Sequence, residues 1–337
     1  MYYSKEQVLS VLNKVYSDSS CVLLGEQCSI DPAEMLDVYA KATGGKQPAV
    51  LGYELCRLPD RGVGSEYWHN TLSVLKDYAA KGGIITTVAH LANPSGRYTT
   101  DKFRGSFSHD DWEEMLTDGT EYNRIIKEEL RIEGLFMKEL DSVGIPVLWR
   151  PLHEVNGDWF WFCGKTSDGT YVDPSYMKRF WKMIYDMYTV EMGMKNLIWV
   201  YSPNISNGDR LKDVLYYYPG DDMCDIVGVD WYTANKCELN EPGHSYDKIM
   251  SLGKPAVIAE FGPAGNLRDE DSSKQVSIFN AIDMLNLFKN FKANGLKIAY
   301  VLTWCKYCGS IAHLGKADEA VRDPFAITLD KLAELYE

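Results

Sequence analysis

Eight short runs of continuous apolar residues, rich in Val and Ile, recur along this 337-residue chain, at 21–25, 49–55, 83–89, 145–149, 196–201, 225–231, 255–259 and 298–303. Continuous rather than alternating apolarity is what strands show when both faces of their sheet are covered, the condition of a parallel sheet flanked by helices. Helical patterns lie between the runs. One is predicted over 65–81 with a stop at Gly82-Gly83, and one over 123–142 ending near Gly144. A third covers 174–192, with Asp173 as N-cap, Pro174 at the first helical position and Gly193 at the end. A fourth covers 273–294, ahead of Gly295. Weaker helices follow the first, fifth and sixth runs, and 330–336 closes the chain. Eight strands alternating with eight helices is the count of an α/β fold of the (β/α)8 TIM-barrel type. A doubly wound open sheet is the rival, but no G-x-G-x-x-G follows the first run and no phosphate-binding loop occurs. No composition break or Pro/Ser linker divides the chain, so one barrel domain over 1–337 is expected.

In such a barrel the polar residues at the C-terminal ends of the strands are the ones placed for chemistry. Here they are His90, Glu154, Tyr232, Glu260 and Trp304. The richest stretch is 149–162, WRPLHEVNGDWFWF, where an apolar strand turns polar and then aromatic. It delivers Arg150, His153 and Glu154 in close succession, beside Trp159. A carboxylate is costly to bury unless it is paired or used. Two glutamates at the ends of strands four and seven are expected on opposite sides of the barrel mouth, facing one another. Paired carboxyls across a groove suit glycoside cleavage, one protonating the leaving oxygen and the other attacking or activating water. The long connection 93–120 contains Tyr98, Phe103 and Phe107, which are expected to line a groove.

The net charge is −13. Acidity of this size argues against a nucleic-acid partner, whose phosphates need Lys and Arg, and allows a neutral substrate. No apolar run approaches the roughly 18 residues that span a bilayer, so no membrane association is expected. The first seventeen residues are broken by charges and lack the apolar stretch of a signal peptide. Eight scattered cysteines do not form a small disulfide framework. Cys305-x-x-Cys308 has only His313 nearby, so structural thiols are expected rather than a metal site. Only His90 and His153 stand near strand ends as possible ligands; no metal or cofactor is expected.

The run RPLHEVNGDWFW closely resembles the acid/base motif of glycoside hydrolase family 26, best known for β-mannanases. VIAEFG at 257–262 resembles that family's nucleophile motif. GVDWY at 228–232, LTW at 302–304 and VAHLANP at 88–94 resemble its sixth, eighth and third strand ends, in family order across most of the chain. The resemblance implies a retaining, double-displacement endo-hydrolase of mannan, glucomannan or galactomannan, with no separate carbohydrate-binding module. Glu154 would be the general acid/base and Glu260 the nucleophile. Tyr232 would hydrogen-bond the nucleophile, and His90 and His153 would bind sugar hydroxyls. Trp304 would lie under the sugar on one side of the cleaved bond and Trp159 under the next. Arg150, expected on the barrel rim, would orient one of the glutamates, while Phe160 and Trp161 pack. A monomer is expected, and a secreted or cell-surface location is what the resemblance implies.

The chain departs from the family pattern at Phe162, where many members have WFWW, and at Cys305, where some carry an arginine. These positions bear on distal sugars, which keeps an endo-β-1,3-1,4-glucanase or a xylanase as the alternative. A non-catalytic binding barrel would need the aromatics but not both glutamates, and a metal-dependent barrel would need more His and Asp at strand ends.

Overall fold

The computed structural model describes residues 2–28, 31–96, 102–206, 210–233, 245–263, 282–304, 311 and 314–336. Tyr98, Cys305, Cys308, His313 and the first part of the predicted helix 273–294 lie outside these residues.

Eight parallel strands close into a barrel: β1 (Val22–Cys28), β2 (Val50–Glu54), β3 (Ile84–Val88), β4 (Val147–Arg150), β5 (Leu197–Tyr201), β6 (Ile226–Thr233), β7 (Ala256–Pro263) and β8 (Tyr300–Thr303). The ring closes because β1 pairs with both β8 and β2. A two-residue strand that the sequence reading lacked, β9 (Ala326–Ile327), pairs with the N-terminal end of β1, at Val22 and Leu23. There β2 has not yet begun, since its first partner on β1 is Gly25. Nearly every strand residue is buried, as the unbroken apolarity of the runs requires.

Helices Glu66–Ala80, Glu121–Asp141 and Pro174–Asp186 fall where the periodicity places them. Ser65 caps the first by accepting from Trp68 N–H, and Asp173 caps the third by accepting from Ser175 N–H. The third continues as a π-helical turn, Met187–Glu191. The 93–120 connection is less irregular than expected: it contains helix His109–Leu116, started by a capping box between Ser108 and Asp111. The weak helix predicted after the fifth strand is absent from the described residues, which run as turns through 210–220.

Helix Lys5–Asp18 lies across the N-terminal mouth. It buries Val8, Val11, Leu12 and Val15, and its Lys5 ammonium reaches the Leu197 carbonyl at the start of β5. The opposite, C-terminal mouth is where barrel enzymes place their ligands.

Candidate active site

The chain turns sharply after β4. Leu152 and Glu154 both adopt left-handed backbone angles, φ 52° and 53°. For a residue with a Cβ this conformation costs about 1–2 kcal/mol. Two hydrogen bonds hold it in place: Glu154 N–H to the Ser202 carbonyl at 2.8 Å, and Gly157 N–H to the Glu154 carbonyl at 2.9 Å. The result aims the Glu154 carboxyl into the barrel mouth, 8% exposed.

Each Glu154 oxygen accepts one hydrogen bond, from Asn204 Nδ2 to Oε1 and from Trp159 Nε1 to Oε2, both at 2.5 Å. Asn204 is fixed in turn. Its side-chain oxygen accepts from Ser206 N–H at 2.6 Å, which leaves the amide NH2 facing Glu154. Its backbone N–H and carbonyl are both bonded to the Asn156 side chain, at 2.8 and 2.9 Å. Burial and then the nearby Glu260 charge push the Glu154 carboxyl up to about 7, against the opposing pull of Asn204, Trp159 and His90.

Glu260 lies inside β7, not beyond its end as the apolar run suggested. The strand carries an irregularity just before it: Val229 pairs with Ile258, but the next residue, Asp230, pairs with Glu260, so Ala259 is extra. A bulge of this kind re-aims the following side chain. Glu260 Oε1 accepts from Arg150 Nη2 and Oε2 from the Tyr232 hydroxyl, both at 2.7 Å.

Arg150 is not on the rim. It is fully buried inside the barrel, and its Nη1 donates to Ser202 Oγ at 3.0 Å and to Asp230 at 3.1 and 3.3 Å. It therefore lies beneath the mouth as a buried cation bonded to both Asp230 and Glu260. Nor are strands four and seven diametrically opposed: only β5 and β6 separate them on one side of the ring. Arg150 and Asp230 bridge that arc. One oxygen each of Glu154, Asp230 and Glu260 lie within 4.8 Å of one another. This donor set is one that a divalent cation could use, but the Arg150 guanidinium is already bonded to two of its three members. Burial and the Glu260 charge push Asp230 upward, and Arg150 opposes them.

His90 and His153 meet edge-on, Nε2 to Nε2 at 3.3 Å. Glu54, at the end of β2, takes His90 Nδ1 at 2.7 Å and His90 N–H at 3.1 Å. Burial lowers His90, but Glu54, joined by Glu260 and Glu154, outweighs it and the net shift is upward. His153 is driven well down by burial, by His90 and by Arg150. Phe160 packs against both rings, at 5.3 and 5.0 Å, and Trp304 stands edge-on to His90 at 6.0 Å. Trp161 is fully buried and donates to the Leu91 carbonyl, a packing role. Phe103 approaches His90 at 5.4 Å, whereas Phe107 is buried against Trp112 and Trp161 and lines no groove.

The structure thus gathers seven of the eight sequence candidates at one mouth, with Arg150 beneath them, and adds Asn204, Asn156, Asp230, Ser202 and Glu54. Asp230 and Glu54 each carried a signal of their own, an acid interrupting a buried apolar run. Asn204 carried none beyond its place after β5.

Residues 4–307 match the family described as Glycosyl hydrolase family 26. Over 271 residues, 78% of this chain and 68% of the relative, the sequence is 32% identical to a mannan endo-1,4-beta-mannosidase of Bacillus subtilis (strain 168). It is 31% identical over 287 residues to a second Bacillus subtilis protein of that name, covering 82% and 71%. The fold superposes on the structure of Bacillus subtilis mannanase man26 with a TM-score of 0.77 and 26% identity, over 96% of this chain and 92% of that one. With the family match running over residues 4–307 and the fold shared with a family mannanase over nearly its whole length, the chain belongs to glycosyl hydrolase family 26.

Proposed function

We propose that this chain is an endo-β-1,4-mannanase acting by double displacement on mannan, glucomannan or galactomannan, with Glu154 as acid/base and Glu260 as nucleophile. The observation that carries the mechanism is the close pair of carboxyls in unlike settings. An oxygen of each lies within 4.8 Å of the other. Retaining glycosidases hold their carboxyls about 5–5.5 Å apart, whereas inverting ones need about 6.5–9.5 Å to admit water between them. Glu154, held up to about 7, carries a proton to give. Glu260 rests against the Arg150 cation and the Tyr232 hydroxyl.

In the first step a Glu260 oxygen forms a bond to the anomeric carbon. The bond to the leaving oxygen breaks, and that oxygen takes the Glu154 proton. Esterification removes the Glu260 charge, which was one of the two forces raising Glu154. In the second step Glu154, now a base, accepts a proton from water as the water oxygen bonds to the anomeric carbon and the ester breaks. On binding, His90 Nε2 would exchange its contact with His153 for a sugar hydroxyl, while Glu54 keeps hold of Nδ1. Trp304 and Trp159 offer apolar faces on either side of the cleaved bond. The substrate assignment rests on the mannanase relatives.

The test is hydrolysis of mannan and of mixed-linkage β-glucan by wild type, Glu154→Ala and Glu260→Ala, with the anomer first released followed by NMR. Mannan cleavage with retention, lost in both variants, is expected. Cleavage of β-glucan alone overturns the substrate, and full activity in either variant overturns the acid pair.

A further inference from the structure

Six large apolar side chains stand exposed among the described residues, and two are aromatic: Tyr171, 40% exposed, and Tyr216, 38%. They converge on one lysine. The Lys212 ammonium lies 3.3 Å from the Tyr171 ring centre and 5.5 Å from that of Tyr216. Lys165 stands 5.4 Å from the Tyr171 ring. Among the described residues both lysines are engaged by rings rather than by carboxylates, although the chain carries a net charge of −13.

The patch is hydrogen-bonded into its surroundings and joined to the active site. Tyr171 sits on a tight hairpin in which Lys165 and Tyr171 pair antiparallel and Thr166 N–H bonds the Thr170 carbonyl at 2.7 Å. The Tyr217 hydroxyl ties this hairpin to the neighbouring segment through the Val172 carbonyl at 2.9 Å. Lys212 is held through its backbone by Asn156, which also clamps Asn204 against Glu154: Lys212 N–H reaches the Asn156 carbonyl at 2.8 Å and Asn156 Nδ2 the Lys212 carbonyl at 3.0 Å. Two residues before Lys212, the Arg210 guanidinium lies 5.5 Å from the Trp159 ring and is paired with Asp158. Arg210 and Lys212 thus lie on one segment that touches Trp159 and, through Asn156, is bonded to the turn carrying Glu154.

Rings take the apolar face of a pyranose, and unpaired ammonium groups donate to its hydroxyls. Held on fixed backbone, two tyrosines offer this surface with little ordering left to do on binding. From these observations we infer that Tyr171, Lys212 and Tyr216 form an outer subsite for the leaving-group end of a neutral polysaccharide chain, beyond Trp159. The inference rests on the proposed glycanase reading and extends it to chain length.

The test uses the full chain and compares kcat/KM on a long, soluble, unbranched β-1,4-mannan with that on a short aryl mannooligoside whose leaving group is the aryl ring. Tyr171→Ala/Tyr216→Ala is expected to lower the ratio of long to short roughly tenfold. Tyr171→Phe/Tyr216→Phe, which keeps the rings, is expected to restore most of it. A merely structural role would lower both substrates together and leave the ratio fixed, and that result overturns the subsite. If wild type cleaves neither mannan nor the aryl substrate, the glycanase reading itself fails, a different outcome from an unmoved ratio.

Discussion

Replacing Asn204 by Leu tests the proposed acid directly. Leu keeps the approximate shape and excludes water, while the backbone bonds of residue 204 to Asn156 do not depend on the side chain. What is removed is the amide donor at 2.5 Å from Glu154 Oε1. That bond favours the charged form of Glu154 and so opposes burial and Glu260. Hydrogen bonds to charged groups contribute about 1.5–3 kcal/mol. At about 1.4 kcal/mol per unit, losing this one moves Glu154 upward by about 1–2 units from its value of about 7. A general acid works protonated, so activity is full below its pKa and falls as pH rises through it. The alkaline limb of kcat/KM is therefore expected near pH 8–9 in the variant, even as kcat falls because the carboxyl is less firmly aimed. The assay is the pH profile of kcat/KM on a soluble mannan. Trp159→Phe, which removes the donor on the other oxygen, should move the limb the same way. A limb that stays near 7 or moves down in both variants refutes the assignment of Glu154 as the acid.

Tyr232→Phe leaves the ring and removes the donor on Glu260 Oε2; kcat/KM is expected to fall about 10- to 100-fold with an unchanged melting temperature. Arg150→Met strands Asp230 and Glu260 in the barrel without their cation; urea unfolding should show a loss of about 3–5 kcal/mol. Glu133 is fully buried on helix Glu121–Asp141, neither of its oxygens has a hydrogen-bond partner among the described residues, and burial followed by Glu129 and Glu54 holds it well above the usual carboxylate range. A carboxyl raised in the folded state adds stability that is full below its unfolded pKa and is lost as pH rises through the folded one. Glu133→Met should therefore raise the melting temperature, and by more at pH 8 than at pH 5; an equal or larger gain at pH 5 contradicts this account.

The sequence by itself determined the barrel. Eight unbroken apolar runs can be satisfied only where both strand faces are covered, and the helix stops between them are local chemistry of Gly, Pro and capping side chains. It also determined that Glu154 and Glu260 are unusual, because each ends or interrupts an apolar run. Tertiary structure alone decided what each glutamate is. Whether a carboxyl is pushed up or braced by a cation depends on groups brought from other strands: Asn204 from beyond β5, Asp230 from β6, Arg150 from β4. No periodicity encodes those distances. The bulge at Ala259 and the left-handed turn at Glu154 are likewise invisible in the chain, because they are backbone distortions that surrounding contacts impose against local preference. For the same reason Arg150 read as a rim residue: its position at a strand end is local information, while its burial between two acids on other strands is not.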